Sequence, residues 1–312
     1  MSAADAPATR PVLVVLAAGM AKRYGGCKPL APVGLHGEAV IDLIAGDAVA
    51  AGFGDVVLVL GPQTGAAITY HVQRSFPPAV AVGFAHQAVP LGTAHAVLCA
   101  RPLVGAAPFA VVNSDDVYGT PAMTLLAAHL SGSDEHAIVS YRLRDTIVTD
   151  DPVTRGTCAV RPDGLLERLV ERRQVTRQAD GTFRSGDGLE PAVLDGDTPV
   201  SMNLWGFAPS IWPVLEDAVR RAHPAVAADG TVGRAALDGD AEVLLPEVVG
   251  AMISGDGVDG PRHDGAGAVR VIAGTGRCIG VTHADDLMVV REELAQMVGG
   301  GLRPEWVWEA AS

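Results

Sequence analysis

The residues best suited to chemistry lie near the start of the chain, in Leu16-Ala17-Ala18-Gly19-Met20-Ala21-Lys22-Arg23-Tyr24-Gly25-Gly26-Cys27-Lys28-Pro29. This segment follows the apolar run Val12–Leu16, which reads as a buried strand, and it combines small side chains with fixed cations. Small residues let backbone N–H groups reach phosphate oxygens, while Arg23 and Lys28 place positive charge where a polyphosphate would lie. The expected ligand is a nucleoside triphosphate. The spacing is not that of a G-x-x-x-x-G-K-[ST] loop, because Pro29 follows the lysine. A second constellation, Val111-Val112-Asn113-Ser114-Asp115-Asp116-Val117-Tyr118-Gly119, ends an apolar strand in two carboxylates. Hard oxygen ligands at a sheet edge suit Mg2+.

The elements that must hold these groups alternate short β-rich runs with longer helical ones, the pattern of a mainly parallel sheet covered on both faces. Expected strands are Val12–Leu16, Val56–Leu60, Val80–Phe84, Phe109–Asn113 and Ala137–Tyr141, with helical spacing over Ala39–Ala51, Gly65–Arg74, Thr93–Arg101 and Pro121–Leu130. In open sheets of this kind ligands sit beyond the carboxyl ends of the strands, where the Gly19 loop and Ser114-Asp115-Asp116 both fall. From Thr157 the strands lengthen and Asp-Gly turns appear at Asp163-Gly164 and Asp180-Gly181, so an antiparallel lobe is expected there. Val200–Phe207 reads as a return strand and Ser210–Arg221 as a helix, while Ala228–Asp240 and Gly255–Gly267 read as mobile loops. The expected division is a flexible tail over 1–10, one domain over 11–282 and a helical tail over 283–312. Within that domain, 11–150 forms a nucleotide half and 151–282 a sugar half.

Composition bounds the partners. With 48% apolar and 19% charged residues, the 312-residue chain reads as globular rather than disordered. A net charge of −13 without a clustered basic face argues against nucleic acid. No apolar run reaches the roughly 18 residues of a membrane span. The first ten residues lack the apolar core of a signal peptide. Four cysteines at 27, 99, 158 and 278 show no paired spacing, so a reducing cytoplasm is the expected compartment.

The Gly19 segment resembles the signature loop of the sugar-1-phosphate nucleotidyltransferases, L-A-A-G-x-G-x-R followed by K-P or K-Q. The resemblance implies a three-layer α/β/α, Rossmann-like nucleotidyltransferase fold with a mainly parallel mixed sheet and an inserted antiparallel substrate lobe. It also implies an Mg2+-dependent reaction between a nucleoside triphosphate and a sugar 1-phosphate. Separately, the apolar C-terminal segment around Trp306 and Trp308 is suited to cover a partner subunit in a homo-oligomer. UTP or dTTP is the expected donor. Lys28 then matches the lysine bridging the α-phosphate and the sugar phosphate, and Arg23 the arginine on the β- and γ-phosphates. Ala17, Ala18, Gly19 and Met20 would line the nucleotide, and Asp115 matches the metal aspartate. Gln87-Ala88-Val89-Pro90-Leu91-Gly92-Thr93-Ala94 resembles the family's Q-x-x-x-x-G-T-A element, which assigns Gln87, Gly92 and Thr93 to the nucleotide. Gly156, Glu171, Arg172 and Asn203 match positions on the sugar side.

Two departures stand out. Ala21 replaces the family's second glycine, and Gly276-Arg277-Cys278-Ile279-Gly280-Val281-Thr282 lacks the second metal aspartate carried by many relatives. Asp116, Glu247, Asp285 and Asp286 are possible substitutes, or water and phosphate oxygens complete the metal shell. Two other readings share these residues: a cytidylyltransferase acting on a small alcohol phosphate, and a silent module that binds nucleotide-sugar.

Overall fold

Every second residue of the first strand faces a different core. Leu13, Val15 and Ala17 bury on one face, and Val12 and Val14 on the other. A strand buried on both sides reads as an unbroken apolar run, which is why the sequence shows no alternation here. The computed structural model describes residues 10–19, 26–149, 151–232, 241–255, 267–281 and 286–311. Met20 and Arg23, the tail before residue 10, Asp285 and most of the two expected mobile loops fall outside these residues.

The first half contains β1 (Val12–Ala17), α1 (Val40–Ala50), β2 (Val56–Leu60), α2 (Gly65–Ser75), β3 (Val82–His86), α3 (Thr93–Val104), β4 (Phe109–Asn113), β5 (Asp116–Val117), α4 (Thr120–Gly132) and β6 (His136–Arg142). There follow β7 (Val153–Val160), β8 (Leu166–Arg177), β9 (Phe183–Arg184), β10 (Val193–Leu194), β11 (Pro199–Phe207), α5 (Trp212–Ala222), α6 (Leu245–Ser254), β12 (Val269–Ala273), β13 (Ile279–Gly280) and α7 (Leu287–Gly299). The third strand begins two residues later than its apolar run suggests, because the Val80 N–H turns back onto the Pro77 carbonyl.

β3, β2, β1 and β4 lie side by side in parallel, in that order. β11 then runs antiparallel to β4, and on its other edge antiparallel to β6, which carries β12 in parallel. One edge of β11 has two partners: Trp205–Phe207 pair with β4, while Val200 and Ser201 pair with β7. The sheet therefore forks at β11. β7 and β8 form a long hairpin closed at Asp163-Gly164, and β9 and β10 extend it. This is the expected antiparallel lobe.

α1, α2, α4 and α7 cover one face of the sheet and α3, α5 and α6 the other, giving three layers. The last thirty residues are not a detached tail. Val290, Leu294, Met297 and Val307 bury in the same core as β1 and α1. Arg303, 4% exposed, donates to Asp47 of α1 at 2.8 Å. Trp308 tilts onto Phe76, whereas Trp306 stacks on the His36 ring and stays 58% exposed. The four cysteines are free thiols. Among the described residues no helix is long and apolar enough to cross a membrane.

Candidate active site

β1 and β4 run parallel with Leu16 opposite Asn113, so the loops after them emerge at the same edge of the sheet. That register brings two expected site residues together across 87 positions of sequence. Lys28 opens a short 3-10 turn, Lys28–Leu30, with Pro29 fixing the backbone behind it. Its ammonium donates to Asp115 Oδ2 at 2.5 Å, with the lysine side chain only 13% exposed.

The turn that carries Asp115 is stapled twice. Asn113 Nδ2 donates to Asp116 Oδ2 at 3.2 Å, and the Asn113 backbone N–H donates to the Tyr118 hydroxyl at 3.0 Å. On the far side, β13 pairs with β5, and the Val281 N–H donates to the Asp115 carbonyl at 3.0 Å. The segment without an aspartate thus lies directly against the carboxylate turn. Gly280 makes this possible: a Cβ there would lie 2.5 Å from Asp116 Oδ1. Burial, and then the adjacent Asp115 charge, push the Asp116 carboxyl up from the ordinary carboxylate range.

Two adjacent carboxylates, one of them hard to ionise without a nearby cation, suit a divalent ion. Mg2+ needs only one or two protein carboxylates when phosphate oxygens and water complete its octahedron. No cluster of three His, Cys, Asp or Glu residues that could hold a metal occurs among the described residues. A metal held here would take Asp115 and Asp116 as its protein ligands and draw the rest of its shell from phosphate oxygens and water.

A cavity of about 330 Å³ opens at this edge, lined by Ala18, Gly19, Lys28, Gln87, Gly92 and Asp115 among others. Its other end is built by the start of α3. Gly92 precedes that helix with φ 99° and ψ 175°, a conformation essentially confined to glycine. Gln87 Nε2 donates to the Gly92 carbonyl at 2.9 Å and lies 3.1 Å from His95 Nδ1. His95 Nε2 lies 2.8 Å from the Gly230 carbonyl, so the ring donates there and accepts at Nδ1. Burial holds the imidazole below its usual pKa, in keeping with a neutral ring. With its amide nitrogen so engaged, Gln87 has its carbonyl oxygen left for a ligand. Thr93 lines the cavity as well, but its hydroxyl accepts the Leu245 N–H at 2.8 Å and anchors the start of α6.

Ala17 does not reach the cavity lining. Its side chain is buried, and its carbonyl accepts the Thr64 hydroxyl at 2.7 Å. The four residues assigned to the sugar side also lie outside that lining. Gly156 of β7 faces Glu171 of β8 and Ser201 of β11 in register. Asn203 sits at the fork with φ 59°, where the pairing of β11 bulges between Ser201 and Trp205. Glu171 is exposed and ion-paired with Arg173 at 2.7 Å. Arg172 departs from its expected role. Neighbours on a strand face opposite ways, so Arg172 points away from the Glu171 face. It is 4% exposed, and its guanidinium donates to Asp187 and to the Leu189 and Pro191 carbonyls. A guanidinium so engaged is not free for a sugar phosphate.

Sequence reasoning left several residues without a role: Asn113 and Tyr118 as staples, Gly280 as the close-approach position, and Ser114 and Glu242 in the cavity wall. The spacing of Asn113 three residues before Asp116 hinted at an Asx-type turn. Nothing in the sequence pointed to Glu242, which enters because Val243 exchanges backbone hydrogen bonds with Leu91 and Ala94.

Comparison with known proteins agrees with this architecture. The profile of the MobA-like NTP transferase domain matches residues 13–181. The UTP--glucose-1-phosphate uridylyltransferase of Escherichia coli strain K12 is 30% identical over 203 residues, which cover 60% of this chain and 59% of that protein. The bifunctional protein GlmU of Paraburkholderia phymatum is 31% identical over 181 residues, 57% of this chain and 37% of GlmU. The match thus spans less than two-thirds of either relative. A crystal structure of UDP-glucose pyrophosphorylase complexed with UDP-glucose superposes with a TM-score of 0.59 over 92% of this chain and 99% of that one, at 12% identity, which establishes a shared fold. On the profile match, which covers more than half of its length, the chain belongs to the MobA-like NTP transferase domain family.

Proposed function

We propose that this protein is a nucleotidyltransferase that joins a nucleoside triphosphate to a sugar 1-phosphate, forming an NDP-sugar and pyrophosphate. The observation that carries this reading is the meeting of Lys28 and Asp115 at the mouth of one cavity, at the carboxyl ends of adjacent parallel strands. In the reaction a phosphate oxygen of the acceptor attacks the α-phosphorus in line. The bond between the α-phosphorus and its bridging oxygen breaks, and pyrophosphate leaves with that electron pair. No general base is needed, because the second phosphate pKa is about 6 and the nucleophile is already ionised. What the chain must supply is positioning and charge compensation.

Lys28 supplies a cation between two polyanions, its ammonium held at the site by the Asp115 carboxylate. Asp115, with Asp116 behind it, would hold Mg2+, and the metal when bound neutralises charge on the triphosphate. Arg23 is assigned to the β- and γ-phosphates by resemblance. Gln87, its amide nitrogen bonded to Gly92, would offer its carbonyl oxygen to a donor on the base edge, which several bases could supply; UTP or dTTP is proposed from the family resemblance. The named relatives, a UTP--glucose-1-phosphate uridylyltransferase among them, support the same donor class. Gly156, Glu171 and Asn203 remain the proposed acceptor side.

The test is pyrophosphate release over a panel of triphosphates and sugar phosphates, with and without Mg2+. Lys28→Ala should lower turnover by on the order of 10²–10³ if the ammonium stabilises transition-state charge. Wild-type rates in that variant, or silence of the wild-type protein across the panel, would overturn the reading.

A further inference from the structure

The register between β4 and β11 stops one pair short of where it could continue. Trp205 faces Val111, so the next pair in the same phase would set Asn203 against Asn113. That pair is not made. The Tyr118 hydroxyl occupies the position instead, accepting the Asn113 N–H at 3.0 Å and donating to the Met202 carbonyl at 2.9 Å. A side-chain oxygen thus replaces a direct bond between the two backbones. Beyond it β11 leaves β4 and takes up β7, with Ser201 opposite Gly156.

The interruption is built rather than accidental. Tyr118 is 1% exposed, and the Tyr141 hydroxyl donates to its carbonyl at 2.8 Å. Burial keeps the phenol well above its usual pKa, so it retains the proton it donates. At the same place Asn203 takes the left-handed conformation, its N–H donates to Ser201 Oγ, and its side-chain oxygen accepts the Trp205 indole N–H at 3.3 Å. A non-glycine residue in that region persists only where its surroundings hold it. The fork therefore has two tines, Asn113–Asp115 on one and Gly156–Thr157 on the other, with Asn203 at its root.

We infer that the Tyr118 hydroxyl is a wedge that holds this fork open, and that Tyr118 is a positioning residue setting the acceptor side of the site against the Asp115 turn. The inference rests on the nucleotidyltransferase reading only for the identity of the acceptor. The donor cavity lies on the β1 side of β4; Tyr118 and Asn203 do not line it, whereas Asn113 and Asp115 do. Those two residues keep the Asp116 and Val281 bonds when the hydroxyl is lost, so the acceptor should weaken more than the triphosphate.

Tyr118→Phe removes the oxygen and keeps the ring. We expect KM for the sugar 1-phosphate to rise about tenfold or more, as when buried polar groups lose a partner, and the triphosphate Kd to rise clearly less. Tyr141→Phe, which removes only the bond to the Tyr118 carbonyl, should leave that ratio unchanged. The same split in both variants would mean general loosening and would overturn the inference. A readout independent of turnover is the Trp205 indole N–H resonance, identified among the four tryptophans by Trp205→Phe. It should shift in Tyr118→Phe, and an unmoved resonance with an unchanged KM refutes the wedge. Should Tyr118→Phe fail to fold, amide exchange in the wild-type protein decides: a protected Asn113 N–H supports the wedge, and rapid exchange overturns it. A wild-type protein that turns over no acceptor would defeat the proposed function, whereas the indole and amide measurements would still judge Tyr118.

Discussion

Gly92→Ala tests whether the α3 end of the cavity depends on one backbone conformation. Gly92 has φ 99° and ψ 175°, and holding a side-chain-bearing residue there costs about 1–3 kcal/mol. The added Cβ would also lie 2.5 Å from the Val243 nitrogen and overlap the Val243 carbonyl. Relief requires moving the segment that contains Val243. Its N–H donates to the Leu91 carbonyl at 2.9 Å, and its carbonyl accepts the Ala94 N–H at 3.0 Å. Each bond contributes about 0.5–1.5 kcal/mol. Strain and lost bonds together come to roughly 2–6 kcal/mol, appearing either as global destabilisation or as local release of residues 241–245. Urea unfolding, amide exchange over that segment and UTP titration distinguish the two. In the local case we expect faster exchange at 241–245 and at least about tenfold weaker nucleotide binding, since Glu242 and Gly92 both line the cavity. Thr93→Val is the control, because it removes only the acceptor of the Leu245 N–H and should cost about 1 kcal/mol. A Gly92→Ala protein with wild-type stability, exchange and affinity would refute the argument.

Other consequences follow from buried charges and rings. Arg303→Met leaves the buried Asp47 carboxylate without its counter-charge and should cost roughly 3–5 kcal/mol in urea unfolding, recovered only in part in Asp47→Leu/Arg303→Met, which frees the Thr120 hydroxyl. A single variant as stable as wild type would show that the C-terminal segment does not brace α1. His136 is buried, with Nδ1 accepting the Ala208 N–H, and burial pushes its imidazole down to about 4. The unfolded chain binds this proton near pH 6.5 and the folded one does not, so stability should fall between about pH 6.5 and 4, by up to about 1.4 kcal/mol per unit. His136→Phe should flatten that part of the profile, and an unchanged slope would contradict the assignment. Asp187, held far below the carboxylate range by its bonds to Arg172, stabilises the lobe above about pH 4 and loses that contribution on acidification. Arg172→Met should abolish this acid dependence in amide exchange over β8–β10 while leaving triphosphate affinity intact, since Arg172 lies outside the cavity lining. Selective loss of sugar 1-phosphate binding would return Arg172 to the acceptor side.

The sequence by itself determined the layered architecture and the places where chemistry could occur. Strands buried on both faces must be unbroken apolar runs, and Val56–Leu60 and Phe109–Asn113 were legible to the residue for that reason. Lys28 and Asp115, charges at strand ends, stand out against apolar strands, whereas Gln87 and Gly92 were singled out only by the family resemblance; the structure sets all four around one cavity. What lay beyond reach was everything set by partners distant in sequence. Arg172 reads as a surface cation until the hairpin returns Asp187 to it. Tyr118 becomes a staple only when β11 arrives opposite β4 and its hydroxyl falls between them. The need for a glycine at 280 arises only once β13 pairs with β5 and sets that position against Asp116. Local propensity and patterning are carried by neighbouring residues, whereas the orientation of a polar group is decided by whichever donor or acceptor the folded chain delivers to it.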